Sequence, residues 1–81
     1  MSKKEEQFMN AIHSIHVLTD IDEEICRKAS ERCVDDYGLR DKVYFVERLY
    51  FFLADQQERR FIVTEFRKRV QTLREEMEKA V

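Results

Sequence analysis

The stretch that decides the fold of this 81-residue chain is residues 43–54, VYFVERLYFFLA, in which ten of twelve residues are apolar or aromatic. Drawn as a helix at about 100° per residue, its apolar residues fill one half of the circumference. Those residues are Val43, Phe45, Val46, Leu49, Tyr50, Phe52 and Leu53. Tyr44 and Phe51 lie instead in the middle of the charged half. One apolar face is enough to pack on a core, so these two aromatic residues are a surplus that core packing does not require.

The composition outside this stretch predicts an almost wholly helical protein. Proline is absent, glycine occurs once, and charged residues make up 40% of the chain. Strands and tight turns usually need more proline and glycine, whereas Glu, Lys, Arg and Gln favour helix. A chain of this length forms one domain, here residues 1–81, and has little stability to spare, so oligomerisation is a common remedy.

Charge and hydropathy exclude some classes of protein. The net charge is −2, which gives no global attraction to nucleic acid or to a membrane surface. The chain lacks the run of about 18 apolar residues that a transmembrane helix needs. Its start, MSKKEEQ, is polar and leads into no apolar core of a signal peptide. We therefore expect a cytoplasmic protein with no membrane partner, in which Cys26 and Cys33 are reduced thiols.

Helical spacing predicts two helices before the central stretch. Residues 4–18 form the first, and residues 21–37 form the second. Thr19 or Asp20 would cap the second helix, since Asp20 and Glu23 have the spacing of a capping box. Gly38 follows where a helix end favours a left-handed residue. The first helix should bury Phe8, Ala11, Ile12, Ile15 and Leu18; the second should bury Ile21, Ile25, Ala29 and Cys33, with Cys26 and Tyr37 at the edge.

Two arrangements fit the remainder of the chain. A third helix over residues 41–54 and a fourth over 56–80 are favoured, because DQQE at residues 55–58 has capping-box spacing. The alternative is one helix of about 40 residues, because a 4-3 apolar spacing continues through this region. The final apolar stripe comprises Ile62, Val63, Phe66, Val70, Leu73 and Met77. We predict an all-α protein, a small antiparallel bundle of three to four helices with a long C-terminal helix.

The surplus aromatic residues are the first candidate site. Aromatic side chains ringed by charged groups are typical of a protein-binding patch. The predicted interface consists of Tyr44, Phe51, Glu47, Arg48, Asp55 and Phe61; Phe61 is included because it falls outside the last apolar stripe. The alternative is that a crossing helix of the same chain covers Tyr44 and Phe51. The expected function is a protein-binding module, such as an adaptor, inhibitor or regulatory partner, with a second copy of the chain as the first candidate partner.

A basic ridge is the second candidate site. Arg60, Arg67 and Arg74 recur every seven residues, and residues 59–74 hold six Lys or Arg against one acid, a local charge of +5. Such a ridge could contact nucleic-acid phosphates, which makes a nucleic-acid-binding regulator the alternative function. It could also be a solvated flank that pairs with acids of a neighbouring helix, such as Glu23, Glu24 and Asp36. Three glutamates soon after it, at positions 75, 76 and 78, weaken a phosphate track.

Metal binding and catalysis have weaker support. His13 and His16 have the i, i+3 spacing of a chelating pair, but Cys26 and Cys33 lie about 10.5 Å apart along a helix, too far to bind one metal ion together or to form a disulfide. Two histidines with one cysteine is therefore a third hypothesis. There is no glycine-rich phosphate loop and no nucleophile motif. We predict no enzyme, no catalytic residue and no cofactor.

Overall fold

The computed structural model describes residues 2–80, and within them the chain forms four helices and no strand. The helices are α1 (Lys3–Thr19), α2 (Glu23–Asp36), α3 (Lys42–Ala54) and α4 (Phe61–Lys79). The prediction of a small all-α bundle with a long C-terminal helix is confirmed, since α4 is 19 residues long. Single residues cap the first and third helices: Ser2 Oγ accepts the Glu5 amide, and Asp41 Oδ1 accepts the Tyr44 amide.

The favoured break between the third and fourth helices is confirmed, and the single long helix is wrong. Gln56 adopts a left-handed conformation (φ 58°), which turns the chain out of α3. Its amide donates to the Leu53 carbonyl and the Gln57 amide to the Phe52 carbonyl, the pattern of a Schellman motif. The predicted start of α4 at residue 56 is wrong by five residues, because Asp55 caps the end of α3 instead of opening α4.

The predicted capping of α2 is also wrong. Asp22, and not Thr19 or Asp20, is the N-cap, because its carboxylate accepts the amides of Glu24 and Ile25. Asp20 instead ends α1 in a left-handed conformation (φ 61°). Residues 20–22 therefore form a tight connection in which two acidic residues serve two different helix ends.

The end of α2 agrees with the sequence prediction at Gly38. Its φ is 60°, its amide donates to the Asp35 carbonyl, and the Leu39 amide donates to the Val34 carbonyl. This is a second Schellman motif, here with glycine at the left-handed position. The motif directs the connecting residues 37–41 back across the bundle towards α3.

The helices pack in an uneven pattern that leaves one pair loosely joined. α1 packs mainly on α3, and α2 packs mainly on α4. α3 and α4 touch least among the packed pairs, while α1 and α4 do not pack on each other in the described part of the chain. The core draws on every helix and includes Phe8, Ile12, Ile15, Cys26, Ala29, Cys33, Val46, Leu49, Val63 and Phe66.

Several predictions of burial are wrong at the edges of the core. Leu18 and Met77 are exposed although each continues an apolar stripe, because each lies in the last turn of its helix beyond that helix's buried residues. Tyr50 is partly exposed beside α1. Cys26, predicted at the edge, is completely buried. Its thiol lies 3.6 Å from the Ile21 carbonyl, beneath the connection between α1 and α2.

Candidate functional site

Tyr44 and Phe51 lie on the outer face of α3, away from the core. The buried face of the same helix holds Val46 and Leu49, both at 0% exposure, whereas the side chains of Tyr44 and Phe51 are 62% and 52% exposed. The alternative that a crossing helix covers the two aromatic residues is therefore wrong, because more than half of each side chain is exposed to solvent. Two turns separate the rings, a rise of about 10.5 Å along the helix.

The charged neighbours of these aromatic residues include both signs. Glu47, Arg48 and Asp55 are all exposed, as a rim requires. The Arg48 guanidinium lies 4.8 Å from the Phe52 ring centroid and 6.0 Å from that of Phe51. This is cation–π geometry, which holds the arginine side chain along the apolar surface. The face therefore combines an apolar centre with an acid and a base side by side.

Phe61, which the sequence assigned to the same interface, lies against the end of α2. It is 63% exposed, and its ring makes an edge-to-face contact with Tyr37 at 5.4 Å between centroids. Tyr37 is itself 48% exposed. The two rings form a second exposed aromatic pair, between the C-terminal end of α2 and the N-terminal end of α4.

A buried carboxylate beside this pair was not found from the sequence. Glu65 is 8% exposed and accepts hydrogen bonds from the Tyr37 hydroxyl at 2.7 Å and from Arg69 Nη1 at 3.0 Å. Arg69 also donates to Asp36, so the cluster ties α2 to α4. The Tyr37 hydrogen bond, followed by those of Arg69 and Lys68, lowers the pKa of Glu65 to about 2. The available signal was the i, i+4 spacing of Glu65 and Arg69 beside an apolar stripe.

The basic ridge is partly neutralised within the chain. Arg67 makes a two-pronged contact with Glu58, at 2.7 and 3.0 Å, and this pairing lowers the pKa of the Glu58 carboxyl. Arg60 donates to the Gln57 side chain and lies 5.0 Å from the Phe52 ring centroid. Arg74 is exposed and has no carboxylate partner among residues 2–80. The three arginines therefore have three different environments.

The expected acidic partners of the basic segment are only partly the observed ones. Asp36 pairs with Arg69, as expected for a solvated flank. Glu23 instead contacts His13, and Glu24 pairs with Arg27 of its own helix. Lys68 pairs with Glu65 at 3.2 Å. Much of the local charge of residues 59–74 is therefore balanced by carboxylates.

The histidines and cysteines do not converge on one point. His13 Nδ1 lies 3.0 Å from Glu23 Oε1, and His16 Nδ1 lies 2.6 Å from the Ile21 carbonyl. Over residues 2–80, no three His, Cys, Asp or Glu side chains are arranged to hold a metal ion. Both thiols are free and buried, and burial raises the pKa of Cys26 and of Cys33 to about 11. Such thiols are poor nucleophiles at neutral pH.

Comparisons with known proteins do not add to this geometry. No protein-family model, curated protein or solved structure matches the chain. Among the residues that the structure describes, no helix has the length and apolar character needed to cross a bilayer.

Proposed function

We propose that this protein is a small protein-binding module that acts through the exposed aromatic face of α3, with a second copy of the chain as its first partner. The observation that carries the proposal is the exposure of Tyr44 and Phe51, at 62% and 52%, although the same helix already buries a complete apolar face. Exposed aromatic residues within a charged rim are typical of interface centres. An adaptor, an inhibitor or a regulatory subunit would use such a face.

The charges around the aromatic pair favour self-association. In a two-fold symmetric interface, each residue of the patch meets a residue of the same patch on the other copy. Glu47 and Arg48 are neighbours of opposite charge on the rim. Either can therefore face its opposite across a two-fold axis, so the patch is electrostatically complementary to itself.

The area that a dimer needs also explains why the rim belongs to the site. A stable interface buries about 800 Å² on each partner. That is about one seventh of the 5695 Å² surface of this chain. Two aromatic side chains do not supply such an area alone, so Glu47, Arg48 and Asp55 would be covered as well. Phe61, by contrast, contacts Tyr37 at the junction of α2 and α4.

The test is the solution mass, measured by light scattering on a sizing column over a range of concentrations. We expect a mass of about twice 9.9 kDa for the native chain. The double substitution Tyr44→Ser with Phe51→Ser should give a monomer with unchanged helix content. The matched control is Val17→Ser with Met77→Ser, which removes two exposed apolar side chains elsewhere and should leave the dimer intact. A native monomer at every concentration would overturn self-association.

The alternative function, nucleic-acid binding through Arg60, Arg67 and Arg74, has less support. Arg67 already pairs with Glu58, and a phosphate would have to displace that carboxylate. Phosphate contacts make affinity fall steeply with salt. Salt-dependent retention on heparin and a mobility shift that Arg67→Glu abolishes would favour this alternative. A shift insensitive to Arg67→Glu would exclude the ridge as its cause.

The proposed compartment is the cytoplasm. The two free thiols support it, since disulfides are rare in reducing compartments.

A further inference from the structure

An apolar groove lies next to the aromatic face of α3, where α3 and α4 separate. Its volume is about 270 Å³, and its apolar walls come from the α2–α3 connection, from α3 and from the first turn of α4. The residues that line it are Leu39, Arg40, Asp41, Tyr44, Phe45, Arg48, Phe52 and Ile62. α3 and α4 are also the least closely packed pair of neighbouring helices.

Two arginines line this groove, and a third lies beside its aromatic wall. Arg40 and Arg48 line it, and their side chains are exposed. Arg60 approaches from the end of the α3–α4 connection, with its guanidinium 5.0 Å from the centroid of the Phe52 ring that forms part of the wall. The Arg48 guanidinium lies 4.8 Å from the same centroid. Two cations are thus held beside one aromatic ring.

The carboxylates of residues 2–80 do not pair with these cations. Arg40, Arg48 and Arg60 form no ion pair with any acid among residues 2–80. Asp41 is the one acid in the groove lining, and its Oδ1 accepts the Tyr44 amide as a helix cap. The groove is therefore positive although the whole chain carries a net charge of −2. Local charge of this sign attracts and orients acidic ligands.

We propose that this groove binds an acidic segment of a different protein, with an apolar side chain inserted between Leu39, Phe52 and Ile62 and with Asp or Glu side chains on the three arginines. A second copy of the chain suits the groove itself less well, because a two-fold axis through the groove would bring Arg40 and Arg60 of one copy near those of the other. An amphipathic segment laid in a groove is a common mode of peptide recognition. The inference rests on the proposed function only in taking the chain to be a protein-binding module.

The experiment is a selection from a random peptide library displayed on phage, with the native chain as the target. The selected peptides should be enriched in Asp and Glu around an aromatic or aliphatic residue. Their affinity should fall by about tenfold or more when Arg40→Glu and Arg60→Glu are combined, because charge-assisted contacts become repulsive. Leu39→Ser should weaken binding as well, because it removes part of the apolar wall.

Matched controls separate the groove from general charge and from the aromatic face. Arg59→Glu changes the charge equally at the adjacent exposed residue, which unlike Arg60 makes no cation–π contact with the Phe52 ring in the described part of the chain, so it should leave affinity unchanged. Because Tyr44 and Arg48 belong to both surfaces, the dimer and the peptide compete, so Phe51→Ser should abolish self-association and should not lower the affinity for the peptide. A native chain that is monomeric yet selects acidic peptides would refute self-association while supporting the groove.

Other outcomes overturn the inference. One is that the selected peptides are not enriched in Asp and Glu, or are neutral or basic. Another is that Arg59→Glu lowers the affinity as much as the substitutions at Arg40 and Arg60 do. A third is that a single-stranded oligonucleotide binds more tightly through the same arginines and displaces the peptide. If the double charge reversal lowers the helix content seen by circular dichroism, Arg40→Gln with Arg60→Gln takes its place. That variant removes the charges without reversing them, and unchanged peptide affinity in it would equally overturn the inference.

Discussion

At the scale of single residues, two buried polar side chains of the bundle have opposite effects on the stability of the fold. Glu65 is almost fully buried, yet its carboxylate is satisfied by Tyr37, Arg69 and Lys68. Ser30 is completely buried, and among residues 2–80 its hydroxyl has no hydrogen-bond partner. A paired buried group can stabilise the fold, whereas an unpaired one costs free energy. Each of the two positions leads to a stability prediction.

Replacement of Ser30 by alanine should stabilise the protein. Ser30→Ala removes the unpaired buried hydroxyl and improves helix propensity, so the free energy of unfolding should rise by about 1 kcal/mol. Denaturant unfolding followed by circular dichroism measures this change. The matched control is Ser14→Ala on α1, where the hydroxyl is exposed and donates to the Asn10 carbonyl. We expect a change within about 0.5 kcal/mol there. Destabilisation by Ser30→Ala would mean that the hydroxyl is paired.

The Glu65 cluster should make stability depend on pH in the acid range. The pKa of Glu65 falls from an ordinary value of 4.5 to about 2 in the fold. Because the folded state holds this carboxyl ionised, its contribution is complete above pH 4.5 and is lost as the pH falls from 4.5 to about 2. Glu65→Gln keeps the shape and an acceptor but removes the charge. Its melting temperature should lie below that of the native chain at pH 7.

The decisive measurement compares melting temperatures of the native chain and Glu65→Gln across the acid range. The difference in melting temperature should become smaller as the pH falls from 4.5 to about 2. Glu58→Gln is the control, because it removes the charge of an exposed pair with Arg67, and such pairs contribute little. If the melting temperatures of the native chain and of Glu65→Gln differed by the same amount down to pH 2, the pKa of Glu65 would not be lowered in the folded state.

At the scale of helices, a non-glycine residue ends α3. Gly38 and Gln56 occupy equivalent left-handed positions in two Schellman motifs, with φ values of 60° and 58°. Glycine adopts this conformation without steric cost, whereas a side chain makes it unfavourable. The break between α3 and α4 therefore forms against the local preference of Gln56. Packing of the two apolar faces on α1 and α2 overcomes that preference.

Glycine at this break should stabilise the four-helix form. We expect Gln56→Gly to raise the free energy of unfolding by about 0.5–1 kcal/mol, since relief of left-handed strain exceeds the added chain entropy. Thermal unfolding followed by circular dichroism measures the shift. Gln56→Ala is the matched control: it removes the same side chain without relieving the strain, and it should not stabilise. A destabilised Gln56→Gly chain would mean that the left-handed turn is not the conformation in solution.

At the scale of the whole molecule, the two proposed binding surfaces meet along α3 and differ in charge. The face of Tyr44 and Phe51 has acids and bases together, which suits a second copy of the chain. The groove beside it is lined by Arg40 and Arg48 and has Arg60 beside its aromatic wall, which suits an acidic partner. Because the proposed dimer buries an apolar centre, its mass in solution should remain near twice 9.9 kDa in high salt. Dissociation of the dimer by salt would mean that rim charges, and not the aromatic residues, hold it together.

Much of the fold could be predicted from the sequence because helix formation is largely local. The lack of proline, the apolar spacing along each segment and the single glycine at position 38 predict helices and one of their ends. Capping was harder to predict, because Asp20 and Asp22 both suit an N-cap and the choice depends on where α1 ends. For the candidate site, the helical wheel of α3 identifies Tyr44 and Phe51 as surplus, but their exposure depends on which neighbours pack beside them.

What the sequence by itself determined is the helical class, the apolar face of each helix and the two aromatic residues that no single face needs. Only the tertiary structure decided that Phe61 meets Tyr37, that Glu65 is buried between α2 and α4, and that Arg48 and Arg60 share the ring of Phe52. The physical reason is that periodicity records which side of a helix is apolar. It does not record which distant helix covers that side, or where two helices separate and leave a groove.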